Sequence, residues 1–173
     1  MMLKKMIYTG SVLAGLALVS CSKDDKDLND TDRQFMVQAS LSNTAEIGAG
    51  TMASTKATSP IVKAFAMSMV AEHTTAQNDL KNRGNSVGNP VRDTLDPAHV
   101  ALALQLNSLS GRAFDSVYMH SQVADHIATI TFFQNEQSNG QHRDILGYAN
   151  TYRPHIEMHR SRADSIATNL FRR

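Results

Sequence analysis

The chain has 173 residues, with 17 Lys+Arg against 16 Asp+Glu, one Cys, four Pro and no Trp. The near-neutral balance and the absence of a basic stripe argue against a nucleic-acid partner. One Cys cannot form an internal disulfide, and a composition rich in Ala, Met, Ser and Thr but poor in aromatics favours helices over sheets.

The first element is a targeting segment. Lys4 and Lys5 precede an uncharged apolar or small run from Met6 to Val19. A membrane-spanning helix needs roughly 20 apolar residues, so this shorter run reads as a signal peptide over residues 1–20. It ends Leu18-Val19-Ser20-Cys21, which resembles the bacterial lipobox, where the Cys is acylated and becomes the first residue of the mature protein. Cys21 is thus the expected lipidation site; a soluble secreted protein with a stray Cys is the other reading. Removal of the first 20 residues takes Lys4 and Lys5 and leaves a side-chain balance of −1 over 153 residues, one domain's worth of chain.

Ser22-Lys23-Asp24-Asp25-Lys26-Asp27 follows, charged and apolar-poor. Residues 21–30 are read as the lipidated Cys and a disordered tether. The run resembles the acidic export signal of Bacteroidetes surface lipoproteins. That resemblance implies the outer membrane, lipid-anchored, with the domain facing either the periplasm or the cell surface.

Residues 31–173 are read as one helical bundle. Asp30-Thr31 offers a cap for a first helix over about residues 32–56. Its stripe is Phe35, Ala39, Ser42, Glu46, Ala49 and Ala53, and Gly48 and Gly50 weaken it. Ser59-Pro60 starts a second helix that stops near Gly84, with Val62, Phe65, Met69, His73, Ala76 and Leu80 on one face. A long loop follows, and Asp96-Pro97 opens a short helix to about Leu109. The third long helix spans about residues 112–138, lined by Met119, Val123, His126, Ile130 and Phe133. The fourth spans about residues 142–170, lined by Ile145, Tyr148, Tyr152, Ile156, His159, Ala163, Ile166 and Leu170. Pro154 should kink it. Arg160, Arg162, Arg172 and Arg173 sit toward its end, where cations favour the helix dipole. Short connections imply an all-α, antiparallel up-down four-helix bundle with an extra short helix before the third long one.

One polar residue interrupts each stripe: Glu46, His73, His126 and His159. Each lies within about three residues of its helix midpoint, so at ~1.5 Å rise per residue all four share one level of the bundle to within roughly 5 Å. Three imidazoles and a carboxylate at one level form a candidate site for a transition metal ion. Packing residues bonded to nearby carbonyls, or a Glu46–His ion pair that fixes helix register, are the alternative. Glu72, next to His73, points about 100° away and is expected at the rim. Asp115 and Tyr118 share a face and read as structural polar residues. His155 and His159 are an i, i+4 pair able to chelate, with Pro154 distorting that turn. His99, His120 and His142 are expected to be solvated. No Glu-x-x-His occurs, which argues against a di-iron oxidation site, and there is no Gly-rich phosphate loop or nucleophile elbow.

Several runs together carry a family resemblance. They are Asp32-Arg33-Gln34-Phe35, Glu46-Ile47, Val62-Lys63-Ala64-Phe65-Ala66, Met69-Val70-Ala71-Glu72-His73, the long run from Leu109 to Tyr118, Gln122-Val123-Ala124-Asp125-His126, and Pro154-His155-Ile156-Glu157-Met158-His159. In these the chain resembles a widespread family of bacterial exported proteins and lipoproteins with a ferritin-like fold and no assigned function. The resemblance implies the fold and no activity.

The favoured expectation is an envelope lipoprotein whose bundle is non-enzymatic, held at the membrane by its lipid and binding an envelope partner or supporting the envelope. The alternative is a metal-binding or redox bundle using the four mid-core residues, and convergence of those side chains would favour it. A weaker third is an apolar ligand pocket between helices. Asp93-Thr94-Leu95 in the long loop resembles an O-glycosylation motif of Bacteroidetes exported proteins.

Overall fold

A computed structural model describes residues 27–171. The proposed signal peptide, Cys21 and most of the proposed tether lie outside the described residues. Within them the chain is all helical: α1 (Asp30–Lys56), α2 (Pro60–Ser86), α3 (Pro97–Ser108), α4 (Gly111–Asn139) and α5 (Arg143–Phe171), with no strand. None of these helices is long and apolar enough to cross a membrane.

Helix starts follow local chemistry, with two departures from expectation. α1 begins two residues early, inside the segment read as tether. Its cap is Asn29, whose side chain accepts from Asp32 N at 2.8 Å while Asp32 Oδ2 accepts from Asn29 N at 2.7 Å. This reciprocal box satisfies two amides that the Asp30-Thr31 reading left free. At α2 the cap position is Ser59 as expected, but its hydroxyl does not cap. Asp115, from α4, accepts from Thr58 N, Ser59 N and the Thr58 hydroxyl instead. Asp96 caps α3 through His99 N at 2.8 Å. At the start of α4, Gly111 has φ +59, a backbone state glycine adopts without strain. α5 continues through Pro154 as one helix.

The burial pattern fits the stripes and extends them. On α1 the buried line includes Met36, Ser40, Asn43 and Gly50. Gly50 is more than a weak helix former. A Cβ there would meet Val70 Cγ2 at 3.0 Å and Ala66 O at 3.1 Å, so its absence lets α1 lie close against α2.

Two apolar clusters result. Near one end Val62, Phe65, Met69, Leu106, Phe114, Tyr118 and Met119 pack with Ala163 and Ile166. Near the other, Phe35, Met36, Leu80, Phe133, Ile145 and Tyr148 pack together. On every long helix the residues between the two clusters are polar and buried: Asn43 and Glu46, His73, Gln122 and His126, and His159. A polar belt therefore divides the core at mid-height. α3 stands apart from this plan. Only Leu106 of it is buried, leaving Val100 and Leu104 exposed.

Candidate metal centre

His73 on α2, His126 on α4 and His159 on α5 meet at the centre of the belt, each at most 4 % exposed. Their ring centroids form a nearly equilateral triangle with sides of 5.7, 5.4 and 5.5 Å. One ring nitrogen from each lies within 4.8 Å of the others.

The remaining nitrogens are held from outside the triangle. His73 Nδ1 is 2.9 Å from Asn43 Oδ1, His126 Nδ1 is 2.8 Å from the Gln122 carbonyl, and His159 Nε2 is 2.9 Å from Glu72 Oε2. A carbonyl or carboxylate oxygen only accepts, so each of these three nitrogens carries the proton. That leaves His73 Nε2, His126 Nε2 and His159 Nδ1 as bare lone pairs, and all three are buried without a hydrogen-bond partner.

Electrostatics reinforce that protonation state. Burial pushes His73 well below the usual imidazole range, and the other two rings push it further. Burial lowers His126 to about 4, against an opposing pull from the Gln122 carbonyl. Burial also lowers His159, with Glu72 opposing. All three rings are neutral at pH 7, the form that binds metal. Three inward lone pairs with no donor among them are what a Lewis acid satisfies. An outer N–H anchored to an oxygen is the usual support of a metal-binding imidazole. An ion equidistant from nitrogens 4.8 Å apart would sit about 2.8 Å from each, so the rings close by under ~1 Å to reach a zinc-type bond of ~2.0–2.1 Å.

Glu46 stands outside the triangle. Its Oε1 is 3.6 Å from His126 Nδ1, the nitrogen already bonded to Gln122 O, and its Oε2 has no partner. Burial raises its carboxyl to about 8, with a Gln122 hydrogen bond opposing. It borders a separate cavity of about 160 Å³ beneath α3, with Asp125 and His99. Spacing alone put Glu46 level with the three His residues; its position on the far side of the His126 ring depends on the rotation of α1.

Other candidates resolve differently. Asp115 is the cap of α2 described above, and the Tyr118 hydroxyl is buried with no partner. His155 is exposed, and its Nδ1 is 3.7 Å from Glu72 Oε2. It shares that carboxylate with His159 and does not face the triangle. His142, expected in solvent, is buried where its backbone N–H donates to Asp32. Three supporting residues escaped the sequence reading: Asn43, Gln122, and Glu72 as a partner of His159. For Asn43 and Gln122 a signal existed, since they precede Glu46 and His126 by three and four positions and so share their core-facing stripes.

The model for a family described as a domain of unknown function (DUF4142) matches residues 18–166. The chain belongs to the DUF4142 family. Membership of DUF4142 brings no activity with it, so function rests on the site. Neither a curated protein nor a solved structure shows detectable similarity to this DUF4142 chain.

A cleft between α2 and α5 reaches from solvent to the outer side of the triangle at His73 and His159. It encloses about 220 Å³ and is lined by Asn43, Glu72, His73, Tyr148, Tyr152 and His159 among others.

Proposed function

We propose that this DUF4142 chain is a metal-binding helical bundle of the bacterial envelope, in which His73, His126 and His159 hold one divalent transition ion. The observation that carries the reading is the set of three neutral, buried imidazoles whose unpartnered nitrogens face one another while their outer nitrogens are anchored. Three neutral nitrogens suit Zn, Cu, Ni or Fe(II). The geometry favours the metal-binding alternative over a bundle with no bound ligand. Glu46 acts beside the centre and not as a ligand in the present arrangement of the rings.

The bundle itself is proposed as an antiparallel, up-down, ferritin-like arrangement of α1, α2, α4 and α5, with α3 as the added short helix. Turns of three residues between α1 and α2, and between α4 and α5, support it by forcing successive helices to reverse. A lipid on Cys21 would hold the domain at the outer membrane, facing the periplasm or the surface, where it meets metal ions or an envelope protein partner. No nucleic acid is involved in this reading.

The test is elemental analysis of the purified full-length chain without a chelating tag, beside a His73→Ala/His126→Ala/His159→Ala variant. Near-stoichiometric metal in the parent, lost in a variant of unchanged helicity, is the expected result. No metal in the parent after incubation with Zn, Cu, Ni, Fe and Mn salts would overturn the reading.

A further inference from the structure

We infer that the cavity beneath α3 is a second cation site, separate from the three imidazoles, which holds one Mg2+ with part of its water shell among Glu46, Gln122 and Asp125. The site uses none of the three central His residues and stands independently of the metal reading above.

The cavity lies where α1, α3 and α4 come together. It encloses about 160 Å³, and its polar lining is Glu46 of α1, His99 of α3, and Gln122 and Asp125 of α4. Two of the lining side chains carry orphaned oxygens. Glu46 is 3 % exposed and Gln122 1 %, yet Glu46 Oε2 and Gln122 Oε1 meet no hydrogen-bond partner. The Gln122 amide donates to Glu46, which commits its Nε2 to that carboxylate and leaves Oε1 as the free end. A carboxylate and an amide oxygen only accept, so the guest must bring donors or positive charge.

Charge selects a cation. No Lys or Arg lines the cavity, and its titratable groups are Glu46, Asp125 and His99. His99 Nδ1 lies 2.9 Å from a third carboxylate, Asp96 Oδ1. Behind Glu46, 3.6 Å away, is the neutral His126 ring. A buried carboxylate without a counter-charge is costly, and a cation in the cavity supplies one.

The donors select the ion. Oxygen ligands suit hard cations. Ca2+ takes about six to eight oxygens directly, whereas Mg2+ keeps several waters and is held through one or two carboxylates. Among the described residues, only the His triangle gathers three ligand atoms within 4.8 Å, so the acids here reach an ion through its water. Roughly 10–15 Å³ holds one water, so about 160 Å³ has room for an ion with several.

The full-length chain, in excess NaCl at about pH 8, is titrated with MgCl2 and separately with CaCl2 by isothermal calorimetry. One saturable Mg2+ site, tighter than that for Ca2+, is expected. Asp125→Asn and Glu46→Gln, both nearly isosteric, should each weaken it about tenfold or more with helicity unchanged. Asp125 is only half-buried, which makes its substitution the decisive one. The His73→Ala/His126→Ala/His159→Ala variant should keep Mg2+ binding. No saturable Mg2+ binding in the parent, or binding that Asp125→Asn leaves unchanged, overturns the inference. Tighter binding of Ca2+ than of Mg2+ overturns the choice of a hydrated ion. Loss of Mg2+ binding in the triple His variant places the ion in the triangle and overturns the second site.

Discussion

Each of the three central imidazoles is fixed by a different kind of oxygen: an amide side chain for His73, a backbone carbonyl for His126 and a carboxylate for His159. The carboxylate is the most exposed of these supports, at 36 % of its side chain. It therefore offers the cleanest substitution, because its loss leaves no buried donor or acceptor behind except on His159 itself. Removing such an outer-shell partner typically weakens metal binding about 10–100-fold. Glu72→Ala should reduce affinity by that range in a chelator-competition titration, with helicity unchanged. Affinity within threefold of the parent would mean that packing alone orients His159. Glu72 also shows where the sequence stops being informative. Its position beside His73 gives the 100° offset and the rim location, but not the neighbour it reaches, which lies 87 residues away on another helix.

Among the elements, the junction of α1 with the α4–α5 turn holds the second buried acid site. Asp32 accepts from the backbone amides of Asn29, Gln141 and His142. Three N–H donors thus converge on its two carboxyl oxygens. Glu136 on α4 is fully buried, its oxygens meet no N–H donor, and it faces the Asp32 carboxylate. Burial first, and Asp32 second, raise Glu136 from 4.5 to about 8. The folded state therefore binds this proton more tightly than the unfolded chain. Its contribution is complete below about pH 4.5 and is lost as pH rises through about 8. Thermal midpoints measured from pH 5 to 9 should fall with pH in the parent and fall less steeply in Glu136→Gln, which keeps a donor toward Asp32. Equal slopes in both proteins would show that Glu136 ionises freely. This junction was invisible to helix periodicity. Asp32 and Glu136 look like ordinary solvated acids near helix ends, and only the docking of one end on the other buries them.

For the molecule as a whole, the polar belt leaves the core in two halves, and an ion at its centre would tie α2, α4 and α5 together at mid-height. A ligand that binds only the folded state adds about 2.7 kcal/mol at one hundred times its dissociation constant. For a domain of this size that corresponds to a rise in Tm on the order of 5–10 °C. The parent should show this rise with increasing free metal, and the His73→Ala/His126→Ala/His159→Ala variant should show none. A rise of the same size in the variant would locate the stabilising ion elsewhere. The number and approximate limits of the helices were readable in advance because caps, Pro–Gly punctuation and core stripes act within a turn or two of helix. Such local rules also carried His73, His126 and His159 to a common level. They could not say which ring nitrogen turns inward, that Asn43, Gln122 and Glu72 hold the outer ones, or that Glu46 falls behind His126. Those outcomes depend on the rotation of each helix about its axis. That rotation is decided only when the two apolar clusters close and Gly50 lets α1 settle against α2.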